Sequence, residues 1–226
     1  MDSDKLNTTR SFVLRKGRLK PAQKKAINEL WLDYGLCLNE KKLDLEDIFG
    51  TGREIIADLG FGKGDALLHL AENNKEISFL GIDVYLSGIG TVLNQASKKN
   101  INNLKIINDD VFIVFKRFLE DQSLNHALLF YPDPWPKKKH QKRRLVNRKF
   151  IHLLEKKIKK GGIFYCKTDL EDYAVHIKRN FENNLGWAKI APKKISQFFL
   201  SIPITRYEKK ALEAGRELNN LIYQKL

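Results

Sequence analysis

From residue 54 onward the apolar positions form short unbroken runs that alternate with stretches of helical spacing. Glu54–Leu59, Ile77–Ile82, Leu104–Ile107, Ala127–Tyr131 and Ile163–Lys167 read as five strands, the pattern of a sheet covered on both faces. Between them, Asp65–Asn73, Gly88–Lys99, Phe112–Leu119, the segment after Arg144 and Glu171–Phe181 carry a helical pattern. In the segment after Arg144, Val146, Phe150, Leu154 and Ile158 share one side, and Gly161-Gly162 ends the helix. Strands alternating with helices at this spacing predict an α/β fold with a doubly wound, mainly parallel sheet. After Gly186 the texture changes. Trp187–Ile190, Ile202–Tyr207 and Leu218–Tyr223 predict a terminal antiparallel strand addition. Upstream, residues 1–20 read as a flexible basic arm. Pro21 opens a helix whose apolar stripe is Ala26, Ile27, Leu30, Trp31 and Tyr34. The segment 36–52 reads as a loop with one short apolar element. The chain thus divides into an arm and helix, 1–35, and an α/β domain, 36–226.

Charge sharpens this picture because it is localised. The net charge is +14, yet residues 137–160 carry +11 and residues 1–25 carry +6, leaving −3 for the other 177 residues. Two concentrated basic segments favour a phosphate-backbone partner. Neither is a long amphipathic helix with apolar anchors, which disfavours a membrane surface. No apolar run approaches the ~20 residues of a membrane span, and the N-terminus MDSDKLNTTR has no apolar signal core. Cys37 and Cys166 stand far apart, which suits a reducing cytoplasm. The five histidines have no metal-ligand spacing, so no metal is expected.

Candidate chemistry gathers at the ends of the strands, where open α/β sheets bind their ligands. The run Ala127–Lys149 begins as a strand and breaks at Pro132-Asp133-Pro134-Trp135-Pro136. Three prolines in five residues halt any ladder or helix. Eight residues, Lys137 to Arg144, then hold six Lys or Arg and one His. An acid at a strand end therefore adjoins a polyanion-sized patch. The first strand leads into Asp58-Leu59-Gly60-Phe61-Gly62-Lys63-Gly64, whose glycines let a ligand approach the backbone. Asp65 stands where the pyrophosphate fingerprint needs a small residue, which excludes a nicotinamide dinucleotide. Asp83 ends the second strand, where an acceptor binds ribose hydroxyls, and Asp109-Asp110 follow the third. Each acid alone is equally a helix cap. Four successive strands ending in acids, within a 26–136 stretch of net charge −7, suit a ribose-bearing cation. S-adenosylmethionine, a sulfonium, is such a ligand.

The glycine turn, Gly81-Ile82-Asp83 with Ser87-Gly88-Ile89-Gly90, PDPWPKKKHQKRR, Lys167-Thr168-Asp169-Leu170-Glu171 and Thr205-Arg206-Tyr207-Glu208 together resemble the bacterial tRNA (guanine-N7)-methyltransferase family. The resemblance covers nearly the whole chain, including the RSFVLRKGRL arm. It implies a Rossmann-like methyltransferase sheet, a cytoplasmic enzyme, S-adenosylmethionine as cofactor and the variable-loop guanine of tRNA as target. It implies cofactor contacts at Asp58, the turn glycines Gly60 and Gly62, Asp83, Asp110 and Asp133, with the adjacent Asp109 an open alternative that the spacing to PDPW favours less than Asp110. It implies substrate contacts at Lys137, Asp169, Thr205, Arg206, Tyr207 and Glu208. RNA contact is implied along Lys139, His140, Gln141, Lys142, Arg143 and Arg144. No obligate protein partner is expected, and a monomer and a homodimer are equally compatible. The family more often has Glu at the positions of Asp58 and Asp83, so these shorter carboxylates leave both direct and water-mediated contact open.

Guanine N7 has an in-plane lone pair and no proton, so its methylation needs alignment and no general base. Asp133 is expected to follow the moving positive charge electrostatically. Trp135 and Tyr207 are candidates to stack on the base, and Lys156–Lys160 to form the solvated face of a helix. Two rivals stand beside this reading. An amino-group methyltransferase would carry an Asn/Asp/Ser-Pro-Pro-Tyr/Phe motif, which Pro132-Asp133-Pro134-Trp135 fits poorly. A non-catalytic RNA-binding protein of the same fold would not need the full set of acids and glycines.

Overall fold

The computed structural model describes residue 12 and residues 19–192 and 195–226; most of the basic arm lies outside the described residues. Seven strands form one sheet: β1 (Glu54–Leu59), β2 (Ile77–Ile82), β3 (Leu104–Ile107), β4 (Leu124–Phe130), β5 (Ile158–Thr168), β6 (Trp187–Lys189) and β7 (Asn219–Lys225). Their order is β3-β2-β1-β4-β5-β7-β6. Strands β1 to β5 run parallel, and β7 inserts antiparallel between β5 and β6. The expected doubly wound sheet with an antiparallel C-terminal addition is therefore what the chain forms. Strand order reverses between β1 and β4, so a crevice opens above that pair at their carboxyl ends.

Alternate residues of β1 face opposite cores. Ile55, Ala57 and Leu59 join Phe115, Phe150, Leu154 and Ile177 on one side. Ile56 joins Leu67, Leu70, Val92, Leu93 and Ala96 on the other. Helices α1 (Pro21–Tyr34), α3 (Asp65–Asn73) and α4 (Leu86–Lys98) supply the second layer; α6 (Arg148–Lys157) and α7 (Glu171–Glu182) supply the first. Helix α1 is docked on α4, where the Gln23 amide donates to the Ser87 carbonyl at 3.0 Å and to Thr91 Oγ1 at 3.1 Å. The short apolar element of segment 36–52 is helix α2 (Leu45–Phe49), capped by Asp44.

Four expectations need correction. Gly161-Gly162 does not end α6, which stops at Lys157; β5 begins at the next residue and runs through the glycines. The register moves from Leu124↔Ile158 to His126↔Ile163, so the glycines form a bulge. A Cβ on Gly162 would lie 2.2 Å from the Asn125 carbonyl oxygen. Glycine marks a bulge and a helix end alike. The expected third helix, Phe112–Leu119, is one α turn, α5 (Val111–Ile113), followed by a π turn over Val114–Phe118. Lys157 is not on a solvated face: it is 4 % exposed, its Nζ 2.8 Å from the Leu119 carbonyl and paired with Asp121. In the tail, 202–207 is not a strand: 202–205 connects α8 (Gln197–Leu200) to α9 (Arg206–Glu213), whose first turn holds Arg206 and Tyr207.

Candidate active site

A cavity of about 540 Å³ occupies the crevice above β1 and β4. Its lining includes Asp58, Gly60, Gly62, Asp83, Asp109, Asp110 and Asp133, so the acids that sequence places at four strand ends meet in one space. Thr205, Arg206 and Tyr207 line it from α9. The volume is that of a small-ligand site.

The glycine turn shapes the floor. Gly60, Gly62 and Gly64 all have positive φ, 70°, 60° and 77°, a region that a Cβ disfavours. A Cβ on Gly88, in the first turn of α4, would lie 1.8 Å from the Gly62 carbonyl oxygen. Glycine at 88 thus lets α4 and the turn touch. Asp83 ties the two together: Oδ2 accepts from Gly62 N at 2.7 Å and Oδ1 from Tyr85 N at 2.8 Å. Each carboxylate oxygen has a further lone pair, so this anchoring leaves acceptor capacity for hydroxyls.

Electrostatically the floor is under tension. Asp58 is 3 % exposed, and burial, then the nearby Asp83, push its carboxyl up to about 7. Burial also raises Asp83; the N–H groups of Gly62, Tyr85 and Val84 oppose the rise, while Asp133 adds to it. Buried carboxylates that repel one another are stabilised by a cation placed among them. Asp110 caps α5, its Oδ1 accepting from Phe112 N at 2.8 Å and Ile113 N at 3.3 Å. Asp109 Oδ1 accepts from Asp110 N at 2.6 Å. Capping and a place in the cavity wall therefore coexist at Asp110. Asp65 stands in the first turn of α3, the position a pyrophosphate would need, and pairs with Arg206 at 3.1 Å. A dinucleotide is disfavoured by the same charge that holds α9 across the cavity mouth.

The Pro132-Asp133-Pro134 turn is bracketed by backbone strain. Tyr131 and Trp135 have φ of 53° and 43°, two of four non-glycine residues with positive φ among those described. Such conformations cost about 1–3 kcal/mol each and cluster at functional sites. Tyr131 N donates to the Lys167 carbonyl at 2.8 Å, and its ring stacks on Tyr207, centroids 6.0 Å apart. Just beyond the turn, Lys138–Arg143 form a 3₁₀ helix with Lys138, Lys139 and Lys142 exposed. Trp135 is half-buried, with the Arg143 guanidinium 4.9 Å above its ring and His140 at its edge.

Other expected site residues stand apart from the cavity wall. Lys137 is exposed beside the turn. Asp169 pairs with Arg216. Glu208 is 9 % exposed and pairs with Lys167 at 3.3 Å, and it completes a capping box with Thr205, whose Oγ1 accepts from Glu208 N at 3.2 Å. Arg144 is the clear correction. It is 2 % exposed, paired with Asp172 and bonded to the Pro134 carbonyl, so it presents no guanidinium to RNA. Sequence reasoning also missed Tyr131, Tyr85, Lys63 and Phe12, all in the cavity wall. The position of Tyr131 at the strand end was the available signal.

Residues 52–221 match a family described as putative methyltransferase. The tRNA (guanine-N(7)-)-methyltransferase of Nitrosococcus oceani is 40 % identical over 215 residues, 95 % of this chain and 90 % of the relative. The chain belongs to the tRNA (guanine-N7)-methyltransferase family. A second member, from Buchnera aphidicola subsp. Schizaphis graminum, is 36 % identical over 220 residues, 97 % of this chain and 92 % of its own. Solved structures agree on the fold. A 30S ribosomal A1408 methyltransferase from an uncultured bacterium superposes with a TM-score of 0.55 at 18 % identity, over 85 % of this family member and 98 % of that chain. The 16S rRNA methyltransferase KamB gives 0.56 at 13 % identity, over 85 % and 98 %. Among the described residues of this family member, no helix is long and apolar enough to cross a membrane.

Proposed function

We propose that this protein methylates N7 of the variable-loop guanine of tRNA, with S-adenosylmethionine as methyl donor, in the cytoplasm. One observation carries the reading: an acidic cavity and a basic 3₁₀ helix meet at a single turn, with Asp133 in the wall of the first and Lys137 at the start of the second. The residues present fit the donor. Asp58 and Asp133 offer negative charge to its cationic groups, Asp83 an acceptor for ribose hydroxyls, Asp110 a group for the adenine edge, and Gly60 and Gly62 an unobstructed backbone. When bound, S-adenosylmethionine supplies an electrophilic methyl on a sulfonium.

The chain's own contribution is alignment and charge. N7 carries no proton, so no residue need accept one. Asp133 faces positive charge that moves from the donor side toward the guanine ring, and a carboxylate fixed there stabilises the transfer without changing protonation. Holding the two reactants in line supplies several kcal/mol more. Lys139, His140, Gln141, Lys142 and Arg143 hold the RNA backbone, and Lys137 a phosphate near the reacting base. Thr205, Arg206 and Tyr207 form the wall facing the guanine. Asp169 serves its N–H groups from the rim, and Glu208 keeps that wall in place. The test is mass spectrometry of nucleosides after the purified protein is incubated with unmodified tRNA and donor. N7-methylguanosine is the expected product; methylated adenosine, or no product despite saturable donor binding, counts against the reading.

A further inference from the structure

The turn that carries Asp133 is poor in backbone donors. Pro132, Pro134 and Pro136 have no N–H, which gives its carbonyls added weight as anchors. One buried cation takes the carbonyl of Pro134. Arg144, 2 % exposed, donates from Nε to that oxygen at 3.0 Å. Its Nη2 donates to the carboxylate of Asp172 and its Nη1 to the Asp172 carbonyl at 3.5 Å. The guanidinium lies 4.7 Å over the ring of Tyr173. Asp172, in the first turn of α7, also accepts from the Gln141 amide at 3.1 Å, within the basic 3₁₀ helix. The chain just beyond Arg144 is fixed to the same helix, Val146 N donating to Tyr173 Oη at 3.3 Å.

A buried guanidinium is costly to desolvate unless its geometry is well satisfied. Here one guanidinium bonds a carbonyl next to Asp133 and a carboxylate that also holds the 3₁₀ helix. The side chain of Asp172 is 64 % exposed, so it neutralises Arg144 from the protein's edge. The hydrogen bond from Arg144 holds that carboxyl below its usual range, so it stays ionised at neutral pH.

We propose that Arg144 is a positioning residue for methyl transfer. It holds the Asp133 turn against the donor cavity through the Pro134 carbonyl, and keeps the basic 3₁₀ helix in register with that turn through Asp172. The proposal rests on the role given to Asp133 above. Its logic is geometric: a misplacement of about 1 Å costs about a hundredfold in rate, and only a planar fork reaches two partners while stacked on a ring. Lysine keeps the charge and loses the fork.

The test compares full-length Arg144→Lys, Arg144→Gln, Asp172→Ala and Asp172→Asn with the unaltered protein. Three quantities are read: single-turnover methylation at saturating tRNA and donor, tRNA affinity across a salt series, and melting temperature. Arg144→Lys is expected to lose about 10- to 100-fold in rate while its tRNA affinity and salt slope stay within about twofold. Asp172→Ala, which lies outside the cavity wall and meets the RNA path only through Gln141, should lose rate in the same direction by less. Asp172→Asn should recover part of it, because its amide oxygen still accepts. An unchanged rate in Arg144→Lys overturns the proposal. So does a salt slope lowered by about one in Arg144→Gln with normal rate, the signature of a phosphate contact. If the Arg144 variants do not fold, wild-type rates in both Asp172 variants overturn it alone. Rate losses that vanish below the melting transition reduce Arg144 to a stability role and also overturn it. Failure of the unaltered protein to form N7-methylguanosine would instead refute the underlying functional reading.

Discussion

Asp58 makes donor binding depend on pH in a way that can be worked from its surroundings. Burial, reinforced by Asp83, lifts its carboxyl from an ordinary 3.8 to about 7. A cationic ligand needs the carboxylate, so binding must expel the proton that the empty site carries below pH 7. At pH 6 about one site in eleven is ionised, and S-adenosylmethionine should bind about tenfold more weakly than on a plateau above pH 8. The stability of the empty protein moves the opposite way. A carboxyl whose folded value lies above its unfolded value favours the fold fully below about pH 4 and loses that contribution as pH rises through 7. The shift corresponds to at most about 4 kcal/mol. Asp58→Asn should therefore bind the donor weakly at every pH, without the slope. Above pH 7 it should also resist denaturant better than the unaltered protein. Titration calorimetry at pH 6, 7 and 8 without RNA, with urea denaturation over the same range, checks both. A flat donor affinity in the unaltered protein, or a slope surviving in Asp58→Asn, refutes the reasoning.

Three further outcomes follow from the same geometry. Glu208→Ala strands Lys167 in a buried site and opens the capping box of α9; it should cost about 3 kcal/mol in denaturant unfolding and raise KM for tRNA as the wall of Thr205 to Tyr207 loosens. Thr205→Ala removes only the cap and should cost about 1 kcal/mol, measured the same way. Charge-removing changes at Lys139, Lys142 or Arg143 should each lower the salt slope of tRNA binding by about 0.9, seen in filter binding from low to moderate salt, with donor affinity unchanged.

Sheet and cavity were legible in the sequence because strands buried on both faces appear as unbroken apolar runs. The chain also sets an acid at or beside the end of each: Asp58, Asp83, Asp109-Asp110 and Asp133. What misled was residue type with two uses. Gly161-Gly162 serves a bulge where it reads as a helix end. Lys157 and Arg144 sit in basic runs that read as solvent-facing, yet each is buried by a partner distant in sequence, Asp121 for one and Asp172 for the other. No local pattern marks which member of a charge run turns inward. Glu208 carried the same ambiguity: a capping box is visible in Thr205-Arg206-Tyr207-Glu208, but its pairing with Lys167 is set by the fold alone.

The most direct test of Asp133 as a fixed charge and not a base is single-turnover methyl transfer with both ligands saturating, from pH 6 to 9. Asp133→Asn should run about 10²- to 10³-fold slower with tRNA affinity unchanged, and the unaltered protein should show a rate independent of pH. A near-normal rate in Asp133→Asn contradicts the account, as does an acid limb near neutrality that disappears with that substitution.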